Sequence, residues 1–217
     1  MKTLFRIPVK EGVTYFNMIA IPLVPLTMML MYTYMNAYVI FLLGSPEYFD
    51  VPEDEIGYVA SMLIFFSFPG AIIGTFFVGF IYDILGRRWT LFLSFITGAG
   101  LLAAIPWTSP NVLPGLLLVR ILIQLTFCAP ASSPLSADYI HKESLGIGSA
   151  LTAIGLVIGE VISMGILFRV TNDMSAYWAF ALVAVIGSLL AFFLLFIITE
   201  PQLRKTGIQI AKEAVEK

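Results

Sequence analysis

Six apolar runs separated by short polar stretches organise the chain, at about 16–43, 56–82, 89–105, 111–137, 145–168 and 177–198. Each is close to, or longer than, the roughly 20 residues an α-helix needs to cross a bilayer. Hydrocarbon offers backbone amides no water, so a spanning segment must satisfy them internally. Runs of this length are too long for membrane-barrel strands, and the pattern therefore predicts six transmembrane helices. The first run is too long for a cleavable signal, and no small-residue cleavage site follows it. The connecting stretches leave no room for a soluble domain, so residues 1–200 read as one six-helix bundle. Residues 201–217, ending in KTGIQIAKEAVEK, read as a short amphipathic tail helix on the inner membrane surface.

Composition supports an all-α membrane protein surrounded by lipid. The chain is 59% hydrophobic and only 12% charged, and its mean hydropathy is +0.94. A soluble domain needs a charged surface, with roughly a quarter of its residues charged. Cys128 is the single cysteine and lies inside an apolar run, which excludes an internal disulfide or a cysteine metal site. The charge pattern shows no nucleic-acid footprint.

The net charge of −2 says less than where the charges fall. Lys2, Arg6, Lys10, Arg87, Arg88, Lys142, Arg204, Lys205, Lys212 and Lys217 fall on the side shared by both termini, and only Arg169 falls on the other. This bias predicts that both termini face the cytoplasm or its topological equivalent. The outer loop SPEYFDVPEDEI carries Glu47, Asp50, Glu53, Asp54 and Glu55. It reads as a solvated loop in which Asp54 or Glu53 caps the second helix. The alternative is a role in gathering cations at a pore mouth.

The stretch GFIYDILGRRWTL, residues 79–91, falls at the inner turn between the second and third runs. Gly86 suits a left-handed, helix-ending conformation. Arg87 and Arg88 hold the turn on the basic side, and Asp83, four residues before Arg87, can pair with it or cap orphan amides. Through Gly79, Asp83, Gly86, Arg87 and Arg88 the stretch resembles the signature loop of the major facilitator superfamily (MFS), with Ile84 where a basic residue is usual.

Further segments agree in order. RILIQ from Arg120 resembles the fourth-span arginine motif, and ADYIHKESLGIGSAL, residues 137–151, resembles the loop leading into the fifth span. GLVIGEVISMG, residues 155–165, resembles the glycine-rich fifth span, with Glu160 where proline is frequent. TEPQLR, residues 199–204, resembles the exit of the sixth span in sugar-porter-like members. The resemblance implies the N-terminal six-helix half of a two-bundle transporter, whose substrate sits between the bundles near the midplane. It also implies a cytoplasmic charge cluster of Asp83, Arg87 and Asp138 that latches one bundle against the other. The expected partners are a small-molecule substrate of unknown identity and a second six-helix bundle, from a homodimer or a separate chain, or a larger complex. The alternative is a transporter-derived, non-transporting structural subunit.

Within the spans, Arg120 and Glu160 are formal charges in apolar surroundings. Such a charge costs about 2.5–3.5 kcal/mol on insertion scales. Counting residues from the run ends places the two at similar depth, so a mutual ion pair is expected. That pair would fix packing, or serve proton coupling or anion binding. Gln124, one turn from Arg120, extends either arrangement. In the first run, Tyr34 and Tyr38 form one helical pair, and Tyr32 and Asn36 another on a neighbouring face. Asn36, Tyr34 and Tyr38 are the substrate-side candidates, with interhelical hydrogen bonding or an interfacial aromatic belt as the plainer reading. Gly155 and Gly159 form a GxxxG step that admits a close helix, from another subunit or from the same bundle. No phosphate-cradling loop, nucleophile with base, or metal-ligand cluster is present, so neither an enzyme nor a cofactor or metal is expected and transport would run on gradients.

Overall fold

The structure is a computed structural model that describes residues 2–4, 7–10 and 12–200. The expected tail helix at 201–217 lies outside the described residues, as do the four basic residues that follow position 200. Two short strands, β1 (Lys2–Leu4) and β2 (Ile7–Val9), pair antiparallel ahead of the first helix. They are the one departure from an all-helical chain among the described residues. The helices are α1 (Tyr15–Leu43), α2 (Ile56–Ala104), α3 (Leu117–Ala131), the short α4 (Leu135–Tyr139), α5 (Leu145–Ile162) and α7 (Ala176–Ile197). Between the last two, a π-helical stretch, Ser163–Leu167, continues α5 into α6 (Phe168–Thr171). Among the described residues, five helical segments are long and apolar enough to cross a membrane.

The second of these segments is 53 residues long because helical backbone continues almost through the expected turn. Only Gly86 leaves the helical region, at φ 82 and ψ 174. A straight helix would set Ile81 and Thr90 about 13 Å apart along its axis. Instead the Thr90 hydroxyl donates to the Ile81 carbonyl at 3.4 Å. Likewise Gly74 and Gly98 meet the adjacent residues Cys128 and Phe127 of α3. The chain therefore reverses at Gly86, and arms 56–85 and 87–104 run antiparallel on either side of it.

Helix α1 is the centre of the bundle: 56% of its most apolar stretch is buried, against 22–39% for the other four candidates. Its start is tied to the end of α7 by Asn17, whose amide donates to the Ile197 carbonyl and the Thr199 hydroxyl. Gly155 and Gly159 of α5 lie against the backbone of α1 at Pro22 and Leu26. The close helix that the GxxxG step admits thus belongs to the same bundle. A methyl group at Gly159 would meet the Leu26 carbonyl and Cα, which cannot swing away as a side chain could. Gly159→Ala is expected to cost about 2 kcal/mol through overpacking, read as a lower unfolding midpoint in detergent.

Two ends emerge. At one, the Lys10 amide donates to the Tyr139 carbonyl at 3.0 Å and the Tyr139 hydroxyl donates to the Thr199 carbonyl at 2.9 Å. At the other, the Ser109 hydroxyl donates to the Tyr48 carbonyl at 2.6 Å, and the Tyr48 hydroxyl accepts the Ala176 amide at 3.1 Å. The acidic loop at this second end does not cap α2 as expected. The helix begins after Glu55 with no side-chain cap, and the amides of Glu55 and Ile56 donate instead to the Pro52 carbonyl at 2.9 and 3.2 Å. The fourth run also differs, because Leu113 is extended (φ −123, ψ 124) and regular α-helix begins only at Leu117.

Candidate functional site

The turn at Gly86 builds the first of two polar centres. Its positive φ, with ψ near 180°, lies in the mirror-extended region that only glycine enters freely, rather than in the left-handed helical region expected. The reversal carries Arg87 back into the bundle, where its side chain is 6% exposed. Arg87 Nε donates to Asp138 Oδ2 at 2.8 Å, and Nη1 donates to the Tyr82 carbonyl at 3.2 Å. Nη1 also lies 3.8 Å from Asp83 Oδ1, whose side chain is half-exposed. The guanidinium carbon sits 5.6 Å from the centre of the Tyr82 ring. The structure thus brings Asp83, Arg87 and Asp138 together, with Asp138 as the closer partner.

Glu200 completes this centre. Its Oε1 accepts the Arg88 amide at 2.9 Å, capping the second arm of α2 where its first amides have no helical partner. The same carboxylate occupies the space that a side chain at Gly86 would fill. Sequence reasoning gave Glu200 no role, since the contact crosses 112 positions. Its one local signal is an acid just past the end of an apolar run. Gly79, by contrast, faces open space.

The second centre lies between α1 and α3, nearer the opposite end. Arg120 is 2% exposed, and its Nη2 donates to Asn36 Oδ1 at 2.7 Å. One turn away, Gln124 Nε2 donates to the Tyr32 hydroxyl at 3.0 Å. The helical pair Tyr32 and Asn36 on α1 therefore meets the helical pair Gln124 and Arg120 on antiparallel α3. Arg120 Nε is buried without a hydrogen-bond partner among the described residues. Asn36, Tyr32 and Gln124 are only partly covered by the bundle.

Two expectations are corrected here. The Arg120–Glu160 pair does not form: no ion pair among the described residues includes Glu160, which is exposed on α5. Gly159, beside it, packs on Leu26, ten residues before Asn36 on α1. That offset is about 15 Å, so the two charges lie at different depths. The error came from the late start of α3, which leaves Arg120 only three residues beyond Leu117. Second, Tyr34 and Tyr38, 0% and 3% exposed, are buried inside the bundle, which fits the plainer reading of interhelical contacts. The Tyr34 hydroxyl donates to Thr171 Oγ1 at 2.8 Å, and both rings pack edge-on against Phe180, 5.6 and 5.3 Å away. Gly155 and Gly159 pack on α1, so of the two partners open to the GxxxG step it is the helix of the same bundle that they meet.

Against this geometry, a family model described as Major Facilitator Superfamily matches residues 18–215. The chain belongs to the Major Facilitator Superfamily. No curated protein matches it. As a superfamily member it is an integral, multi-pass membrane protein of a secondary-transporter family. The match spans the residues of both polar centres, from Tyr32 to Glu200. Among the described residues no cluster of histidine, cysteine and carboxylates could hold a metal. Below the second centre, a cavity of about 170 Å³ lies among α1, α3, α4 and α5, lined in part by Pro25, Met28, Ser133, Ser136 and Thr152. The Ser136 and Thr152 hydroxyls lie 3.2 Å apart at its wall.

Proposed function

We propose that this bundle is one half of a gradient-driven transporter that moves a small solute by alternating access against a second bundle. It crosses the membrane six times, since the reversal at Gly86 turns the longest apolar segment into two spans. Both termini face the cytoplasm, because Lys10, Arg87, Arg88 and Lys142 share the end opposite Arg169 and the acidic loop.

The observation that carries this reading is the partly covered layer of Asn36, Tyr32 and Gln124 over buried Arg120. Polar groups inside a membrane are costly, and they face a bundle interior or a wet cavity rather than lipid. A purely structural bundle would be better served by apolar packing at these positions. The layer instead offers a solute hydrogen-bond donors and acceptors above a fixed positive charge.

The test is uptake into proteoliposomes carrying the chain with its second bundle, under an imposed proton or sodium gradient. A panel of labelled sugars, amino acids, organic anions and organic cations serves as substrate. Uptake above protein-free vesicles is expected, with Asn36→Ala and Gln124→Ala each lowering its initial rate at least tenfold while the chain still inserts. Gradient-independent background for the whole panel would overturn the reading in favour of a structural subunit.

A further inference from the structure

Glu160 stands fifteen residues beyond Leu145, where α5 begins, and eleven before Thr171, where α6 ends. At 1.5 Å per residue these are about 22 Å and about 17 Å, so its carboxylate lies near the middle of the membrane. The surface around it is apolar: Ile154, Val157, Val161 and Met164 are 51%, 59%, 60% and 47% exposed. A carboxylate facing lipid at this depth is strongly disfavoured. Helix α5 cannot turn to hide it, since Gly155 and Gly159 are held against the backbone of α1. For this carboxylate to stay ionised, its charge has to be met from outside the bundle.

No described cation of this chain stands at that depth. Arg120 is 2% exposed, bonded to Asn36, and about 15 Å away along the membrane normal. Arg169 lies nine residues beyond Glu160, about 14 Å nearer the outer end. Lys10, Arg87, Arg88 and Lys142 lie at the inner end. Two copies inserted in the same direction keep all these levels. Self-pairing would bring no basic side chain of the described residues opposite Glu160.

We propose that the exposed face of α5 docks a different helical bundle, one that carries a lysine or arginine at mid-membrane depth and pairs it with Glu160. This rests on the two-bundle reading above and adds to it the chemistry of the partner. The charge pair fixes the register of docking, and the flanking Val157, Val161 and Met164 supply apolar contact on either side. A low-dielectric surrounding strengthens the attraction between the two charges.

The test uses defined transmembrane peptides as probes. The labelled chain is reconstituted in phosphatidylcholine vesicles with acceptor-labelled leucine–alanine peptides carrying lysine, glutamine or glutamate at their centre, and energy transfer reports association. The lysine peptide is expected to associate at least tenfold more tightly than the glutamine peptide. Glu160→Gln should erase this preference, and Glu160→Lys should pass it to the glutamate peptide. Position 160 is exposed, so circular dichroism should show both variants folded. Equal association of the three peptides with the unaltered chain would overturn the proposal, as would a preference that survives Glu160→Gln. Energy transfer between copies of the chain that the lysine peptide fails to displace, but that Glu160→Gln removes, would also overturn it by giving the face to a second copy. Association is read without transport, so failed uptake and failed association separate the two readings.

Discussion

Asp138→Asn is expected to destabilise the bundle by about 3 kcal/mol, read as a loss in equilibrium unfolding free energy in mixed micelles. The substitution keeps the shape of the side chain and removes its charge. It leaves the Arg87 guanidinium, 6% exposed, with its nearest remaining carboxylate oxygen at 3.8 Å on Asp83. Removing one member of a buried pair costs about 3–5 kcal/mol, because the other charge stays buried and uncompensated. The Asp138 side chain is 19% exposed, which places the effect at the lower end of that range. Arg87→Met should cost less, since the orphaned Asp138 can still reach water. The double variant should lose less than the sum of the two, the difference measuring their coupling. A loss below about 1 kcal/mol for Asp138→Asn would class the contact with solvent-screened surface pairs. The same variant should slow transport if this centre is the latch between bundles.

Much of the fold was legible because membrane helices are written as long apolar runs. The first run, expected at about 16–43, is helix Tyr15–Leu43. The inner turn was legible from Gly86, because one residue type alone accepts its backbone angles. Hydropathy failed where apolar residues are not helical. Val112, Leu113 and Leu116 extend the fourth run on composition, yet extended Leu113 delays regular helix to Leu117. That shift moved the inferred depth of Arg120 and with it the expected pairing with Glu160. Spacing along one helix also says which side chains share a face without saying what that face meets. Tyr34 and Tyr38 were rightly paired by spacing, but they point to Phe180, whereas Tyr32 and Asn36 meet Gln124 and Arg120. Glu200 was beyond local reasoning, since its partner amide lies across the whole bundle in sequence.

Gly86→Ala is expected to cost about 2–4 kcal/mol, from two separable causes. The first is conformational: at φ 82 and ψ 174 an L side chain pays about 1–3 kcal/mol that glycine does not. The second is steric, because the new Cβ would sit 2.5 Å from Glu200 Oε1 and 2.8 Å from its Cδ. Glu200 can relieve that contact only by moving off the Arg88 amide, giving up a helix cap worth about 1 kcal/mol. Glu200→Ala alone should therefore cost about 1 kcal/mol through the same lost cap. In that background Gly86→Ala retains the conformational cost and loses the steric one. The double variant should then fall short of the sum of the singles by about 1 kcal/mol. Strict additivity in unfolding free energy would show that the carboxylate does not hold the turn. A single-variant cost below about 0.5 kcal/mol would show that the turn tolerates a side chain, and that the reversal of the second helical segment is set by its packing on α3 instead.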